Sequence, residues 1–254
     1  MNQSTFPFSF FNDKFVKTEE AKISIMTNAL QYGNGVFGGI RGYYNKNKKT
    51  LFIFRLDDHF ERFLNALKII GVSLPYSKKQ LKDIVINLAK KNQPKTDSYF
   101  RPFAYAGSQN ISPNFDQDEE FKFCLFMIRL GDYIPTKTGI SAMVSSWRRV
   151  SDNAIPARAK ISGSYVNSSL AKKQAVDCGF TEAIVLNEAG NVAEGSAANF
   201  FLVKNNILIT PAKTDDILEG ITRRTILELA KDLKISTEES ANVMNELLLN
   251  RRLI

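Results

Sequence analysis

Cysteine is nearly absent from this chain of 254 residues, with only Cys124 and Cys178, far apart and with no paired spacing. That scarcity excludes a disulfide framework and a cysteine-ligated zinc site, and it fits a reducing compartment. The expected location is the cytoplasm, and no metal is expected. No apolar run reaches the roughly 18 residues of a membrane span, so no membrane association is expected. Met1 to Phe11 lacks the basic segment and long apolar run of a signal peptide. Repeats and low-complexity tracts are also missing. Acidic residues are outnumbered, 26 against 34 Lys and Arg, for a net charge of +8. The lysines, however, lie in short scattered groups such as Lys46-Asn47-Lys48-Lys49 and Lys90-Lys91, and the aromatic residues fall in apolar runs. This describes a basic solvated surface and not a nucleic-acid site.

What is present is an ordinary globular composition, 44% hydrophobic and 24% charged, at a length that allows one to two domains. In the first half, 22–26, 50–55, 98–106 and 120–128 read as strands. His59 to Ile70 puts Phe60, Phe63, Leu64, Leu67 and Ile70 on one helical face, and Gly71 stops it. Ser77 caps a second helix carrying Leu81, Ile84, Val85 and Leu88. Residues 130–139, with two Gly, a Pro and few apolar side chains, read as a linker. In the second half, 140–145, 182–186 and 199–203 read as strands, and Tyr165 to Asp177 as a helix ended by Gly179. Asn205-Asn206 joins 199–203 and 207–210 as a hairpin. A last helix follows Gly220, with Thr222 as its N-cap and Ile226, Leu229, Ala230 and Leu233 on one side. The expected class is α/β (α+β), in two unequal domains.

Two short stretches carry chemistry: Ala159-Lys160-Ile161-Ser162-Gly163-Ser164-Tyr165, and Val192-Ala193-Glu194-Gly195-Ser196. A lysine amine forms a Schiff base with an aldehyde cofactor, and a carboxylate keeps a pyridine nitrogen protonated, which makes the ring an electron sink. Lys160 by itself is one lysine among many. Its setting in a segment of small residues just before a helix is what singles it out. Glu194 reads as a turn carboxylate between two strands, beside small residues that let a flat ring approach. The start of the last helix favours a phosphate, and Arg62 on the first helix is a second phosphate candidate.

With these residues in view, 20–240 resembles the fold-type IV pyridoxal-phosphate enzymes. This group holds the branched-chain aminotransferases, the D-amino-acid aminotransferases and the aminodeoxychorismate lyases. Six segments match in order: the run from Asn28 to Tyr43, His59-Phe-Glu-Arg62, Tyr99-Phe-Arg101-Pro102, Ala159-Lys160 through Tyr165-Val-Asn167, Glu194-Gly-Ser with Asn199-Phe200, and Leu218-Glu-Gly-Ile-Thr-Arg223. The Val36 to Arg41 run, Tyr99-x-Arg101-Pro102 and Val144-Ser-Ser-Trp147 look most like branched-chain aminotransferases. The resemblance implies a small α/β domain (1–129), the linker (130–139) and a larger cofactor-binding domain with a pseudo-barrel sheet (140–254). It implies pyridoxal 5'-phosphate as cofactor. Lys160 would be the Schiff-base lysine and proton shuttle, a task that needs a neutral amine. Glu194 would pair with the pyridinium nitrogen, and Tyr165 with the ring oxygen. Arg62 and the backbone of Ile221 and Thr222 would hold the phosphate. Tyr32, Phe37, Gly39, Tyr99 and Arg101 would line the substrate side, with Arg101 taking the distal carboxylate of glutamate. A homodimer or higher homo-oligomer is implied as well.

Two departures bear on this expectation. Gly38 stands where branched-chain enzymes usually have Glu, which keeps open a D-amino-acid or amine aminotransferase or an aminodeoxychorismate-lyase-like enzyme. After about Glu246 the family continues to a Thr/Ser-Gly-Thr loop and further strands, whereas here Leu247 to Ile254 follow, with no Gly-Thr pair after Thr222. The expectation is therefore a second domain shortened at its C-terminus. Its sheet edge would be exposed and its stability reduced, and a catalytically impaired relative that still binds the cofactor stays open. The expected activity is transamination of leucine, isoleucine or valine with 2-oxoglutarate.

Overall fold

The computed structural model describes residues 5–111, 121–131, 138–241 and 243. Most of the expected linker and all of 247–254 lie outside these residues. The chain divides into two units. The first takes in Met1–Tyr133 and Ala159–Gly163, and the second Ile134–Arg158 and Ser164–Ile254. The short segment around Lys160, expected within the second domain, thus belongs with the first.

The first unit is one antiparallel sheet with helices on it. Its elements are β1 (Phe8–Phe11), β2 (Lys14–Lys17), α1 (Asn28–Tyr32), β3 (Gly35–Phe37), β4 (Ile40–Asn45), β5 (Thr50–Ile53), α2 (Leu56–Ile69), α3 (Lys78–Asn92), β6 (Ser98–Ala106) and β7 (Phe121–Arg129). Among the described residues the strand order is β2-β1-β7-β6-β4-β5, with β3 also paired to β6. The period of two along β6 divides its side chains between two faces. Phe100 and Ala104 are buried on one face, while Tyr99 and Arg101 share the other and are half-buried. Pro102 opposes Leu125 and Phe100 opposes Met127. This buried face joins Phe60, Phe63, Leu67, Leu81, Val85 and Leu88 of the helices in the core, and the Phe63 and Phe123 rings meet edge to face at 6.1 Å.

α2 starts at Leu56, one turn earlier than the apolar spacing predicts. Asp57 and Asp58 suit the positive helix end, and Arg55 Nε holds Asp58 at 2.5 Å. Ser77 caps α3 as expected, in a reciprocal capping box with Gln80. Residues 22–26 do not form the expected strand. Ser24 accepts the Met26 N–H through its hydroxyl and the Thr27 N–H through its carbonyl, which closes a turn that exposes Ile25 and Met26.

The second unit holds β8 (Ala142–Arg148), α4 (Tyr165–Asp177), β9 (Glu182–Leu186), β10 (Val192–Gly195), β11 (Leu202–Lys204), β12 (Ile207–Pro211), α5 (Ile221–Asp232) and β13 (Ser236–Ser240). Two three-stranded sheets are described, β10-β9-β8 and β11-β12-β13. They share a core of Ile184, Leu186, Val192, Phe200, Leu202, Ile209 and Val243, while Ala171 and Ala175 of α4 pack on Ala183 and Val185. Asn205 and Asn206, both at positive φ, make the hairpin turn between β11 and β12. The strand expected at 199–203 shrinks to Leu202–Lys204. β13, Ser-Thr-Glu-Glu-Ser, has no apolar alternation to announce it and forms by parallel pairing to β12.

α5 corrects the sequence reading twice. Its N-cap is Gly220, extended at φ −66 and ψ 144, and the Gly220 carbonyl takes the Arg224 N–H at 3.0 Å. Thr222 therefore lies inside the first turn and is exposed. The buried side carries Ile221, Arg223 and Ala230, while Leu229 and Leu233 face out. Arg223 spends its charge inward, donating to the Pro211 carbonyl at 3.0 Å and pairing with Glu239 at 2.7 Å.

Candidate active site

In the first unit, the segment carrying Lys160 is laid alongside β3. Val36 and Ile161 form an antiparallel bridge. The Phe37 N–H donates to the Lys160 carbonyl at 3.2 Å, and the Ser162 N–H to the Gly35 carbonyl at 2.8 Å. The Ser162 hydroxyl donates to the Gly33 carbonyl at 2.7 Å. Gly33 ends α1 at φ +72, and a Cβ there would come within 2.7 Å of the Gly163 Cα. This contact and the positive φ together require glycine at position 33. Lys160 itself has φ +44, a left-handed conformation that costs a non-glycine residue about 1–2 kcal/mol. Such strain persists only where the surroundings over-determine it, and here the flanking ladder does so.

The strained backbone sets the Lys160 Nζ over the Phe37 ring, 4.9 Å from its centroid. Arg101 lies 4.5 Å from the same ring and 5.2 Å from the Tyr99 ring. A Cβ at Gly39 would overlap the Tyr99 hydroxyl, so the glycine makes room for the phenol. Phe37, Gly39, Tyr99, Arg101 and Lys160 are thus brought together. Tyr32 closes α1 and is 38% exposed. Among the described residues no hydrogen bond or ring contact joins it to the others. Arg101 Nε is buried without a hydrogen-bond acceptor among the described residues, leaving a donor for an anion.

The electrostatics agree with a cationic, water-poor cluster. His59 has its pKa lowered to about 3, chiefly by burial, then by Arg62, against a smaller opposing pull from Asp58, with Lys160 and Arg55 adding to the lowering. It is neutral at physiological pH. The Tyr99 hydroxyl is raised above its ordinary value by burial, against the charges of Arg101, Arg62 and Arg41, and stays protonated.

In the second unit, Glu194 is not in a turn. It sits within β10 and is buried. Its Oε1 pairs with Arg149 Nη2 at 3.1 Å, and its Oε2 accepts the Leu218 N–H at 3.1 Å. A buried carboxylate needs such partners to remain charged. Tyr165 is the first residue of α4 and half-buried. Ile221 and Thr222 open α5 behind a glycine N-cap with no side-chain cap, so the first turn offers N–H groups to an anion. Arg149, the partner of Glu194, is the residue of this cluster that the sequence reading missed. Arg148-Arg149 at the end of a strand reads as surface charge, and only the burial of Glu194 calls for a cation beside it.

The amino-transferase class IV family matches residues 35–249. The chain belongs to this family and is an aminotransferase that uses pyridoxal 5'-phosphate. It is 43% identical over 241 residues to a probable branched-chain-amino-acid aminotransferase of Aquifex aeolicus, covering 94% of this chain and 77% of that protein. Among solved structures, the branched-chain aminotransferase of Thermoproteus uzoniensis with norvaline is similar at 39% identity and TM-score 0.89, covering 94% of this chain and 78% of that one. The branched-chain amino acid aminotransferase of Thermobaculum terrenum in its PLP-form is similar at 31% identity and TM-score 0.87, covering 93% of this chain and 77% of that one.

The residues present fit the cofactor chemically. An aldehyde asks for an amine, a basic ring nitrogen for a carboxylate, and a phosphate for cations and backbone N–H groups. Lys160 and Arg62 in the first unit, and the arginine-held carboxylate of Glu194 and the uncapped first turn of α5 in the second, are groups of these kinds. Among the described residues no helix is long and apolar enough to cross a membrane, and no group of three His, Cys, Asp or Glu is placed to hold a metal.

Proposed function

We propose that this protein moves the amino group between leucine, isoleucine or valine and 2-oxoglutarate. The observation that carries the reading is the pairing of apolar and cationic walls at one amine. The Phe37 ring meets both Lys160 and Arg101, and Arg101 also meets the Tyr99 ring. The Phe37 and Tyr99 rings enclose an aliphatic side chain, and the unclaimed Arg101 Nε–H meets the distal carboxylate of glutamate, so one pocket takes two unlike substrates in turn. Gly39 and Tyr32 complete the substrate side.

When bound, pyridoxal 5'-phosphate supplies the electron sink that lets a substrate lose its Cα proton. Lys160 Nζ would hold the aldehyde carbon until the substrate amine replaces it there, and the freed, neutral amine would carry the substrate's Cα proton. Glu194 keeps the ring nitrogen protonated, with Arg149 holding the carboxylate charged and aimed. Tyr165 donates to the ring oxygen. Arg62 and the Ile221 and Thr222 N–H groups hold the phosphate. The buried neutral His59 adds no charge to this set. We further propose a cytoplasmic homodimer. Both cysteines are free, and Ile25, Met26 and Leu30, exposed on and just before α1, are apolar side chains of the kind that a second copy covers.

The test is the visible absorption of the protein loaded with pyridoxal 5'-phosphate, before and after leucine, beside Lys160→Ala. A cofactor band that leucine bleaches and 2-oxoglutarate restores, and that Lys160→Ala lacks, is expected. A band that D-alanine or an amine bleaches while leucine does not would refute the substrate assignment.

A further inference from the structure

We propose that Asn199 is a positioning residue. It locks the start of α5 to Glu194, and so sets where the phosphate of the cofactor sits relative to its ring nitrogen; the inference rests on the cofactor roles given above. Glu194 and Asn199 flank one tight turn, closed by the Gly195 N–H donating to the Ala198 carbonyl at 2.7 Å. The two side chains grip the same residue. Glu194 Oε2 accepts the Leu218 N–H at 3.1 Å, and Asn199 Nδ2 donates to the Leu218 carbonyl at 2.8 Å. Arg149 adds a third tie, bridging Glu194 Oε1 at 3.1 Å and the Asp216 carbonyl at 3.2 Å. Both backbone polar groups of Leu218 are therefore claimed by side chains from this one turn and its strand.

Two residues on, Gly220 begins α5. A Cβ at this position would overlap Asn199 Oδ1, so the asparagine amide oxygen occupies the space that a side chain at the N-cap would take. That close approach gives position 220 a reason to be glycine beyond its extended conformation, which any residue adopts. The carboxylate addressed by one end of the cofactor and the helix start addressed by the other thus form one hydrogen-bonded body. Losing the Asn199 amide leaves the Leu218 carbonyl unpaired in a buried place, and adding a methyl group at Gly220 pushes the amide away. Either change lets the α5 N-terminus shift against Glu194 while leaving every residue assigned to the cofactor unaltered.

The experiment compares the affinities of wild type, Asn199→Ala and Gly220→Ala for pyridoxal 5'-phosphate and for pyridoxal, which lacks the phosphate, with melting of the cofactor-free proteins recorded alongside. Each variant should bind the phosphorylated cofactor about 10- to 100-fold more weakly, the effect of one lost buried hydrogen bond. Pyridoxal should be little affected, so the preference for the phosphate collapses. The double variant should be no worse than the weaker single one, because both act on one contact. Unchanged cofactor affinity in either folded variant would overturn the proposal. So would equal weakening of both ligands, or failure of both variants to fold, since each assigns the contact to general stability. A wild type that binds neither ligand would overturn the cofactor roles themselves, whereas normal binding with unaffected variants would sink this inference alone.

Discussion

His59 is the only histidine in the chain, which makes it a clean probe of the first unit's electrostatics. Its pKa falls from 6.5 to about 3 through burial and the nearby Arg62, with Asp58 opposing and Lys160 and Arg55 contributing. The unfolded chain takes up a proton near pH 6.5, and the native chain only near 3. Throughout that window the unfolded state holds more protons, so stability is full above the upper value and is lost as pH falls. Moving from about pH 7.5 to about pH 5 should remove roughly 2 kcal/mol, at 1.36 kcal/mol per unit of separation. His59→Gln has no such titration and should lose correspondingly less over the same range. Glu182 also adds acid sensitivity. Burial works against its ionisation, but bonds from Ser196, Ala183 and Lys172 hold it below 4.5, and this contribution is common to both proteins and cancels. The assay is urea unfolding of the cofactor-free proteins at several pH values, with equal m-values required. Parallel stability curves for wild type and His59→Gln would show that His59 is protonated as easily in the native state as outside it, and the burial of His59 and the placement of Arg62 beside it would be wrong.

Two further outcomes follow from burial. Arg149→Met strips the buried Glu194 of its cation and should cost about 3–5 kcal/mol, with Arg149→Met/Glu194→Gln recovering part of it; thermal melting reads this, and an additive double variant would disprove the pair. Leu88→Ala empties a fully buried position on α3 and should cost about 2–5 kcal/mol. A loss below about 1 kcal/mol by denaturant unfolding would mean that the sheet and helices are not packed as described.

The local grammar of the chain was strong enough to place several elements outright. Ser98–Ala106 and Glu182–Leu186 read as strands because their apolar runs have the right length and clear ends, and Ser77 and Gln80 spell a helix start in two letters. Tyr99 and Arg101 share a face as the strand period requires, and the motif around Lys160 led to the family. Other features carry no local signal. Ile23 and Ile25 alternate like a strand, yet Ser24 closes a turn there. β13 is polar throughout and exists only because β12 lies beside it. Thr222 looks like a cap, but the Gly220 carbonyl takes the first helical N–H, that of Arg224, and Gly220 is the N-cap.

What the sequence determined by itself was therefore the family: which residue types recur in which order, and with that an aminotransferase that uses pyridoxal 5'-phosphate. Only the tertiary structure decided how those groups are held. The left-handed backbone at Lys160 depends on a ladder to β3 from a segment more than a hundred residues away. The charge on Glu194 depends on Arg149, and the start of α5 on Asn199. These are non-local contacts between buried polar groups. They follow from the requirement that every such group find a partner, and which partner it finds is a property of the fold.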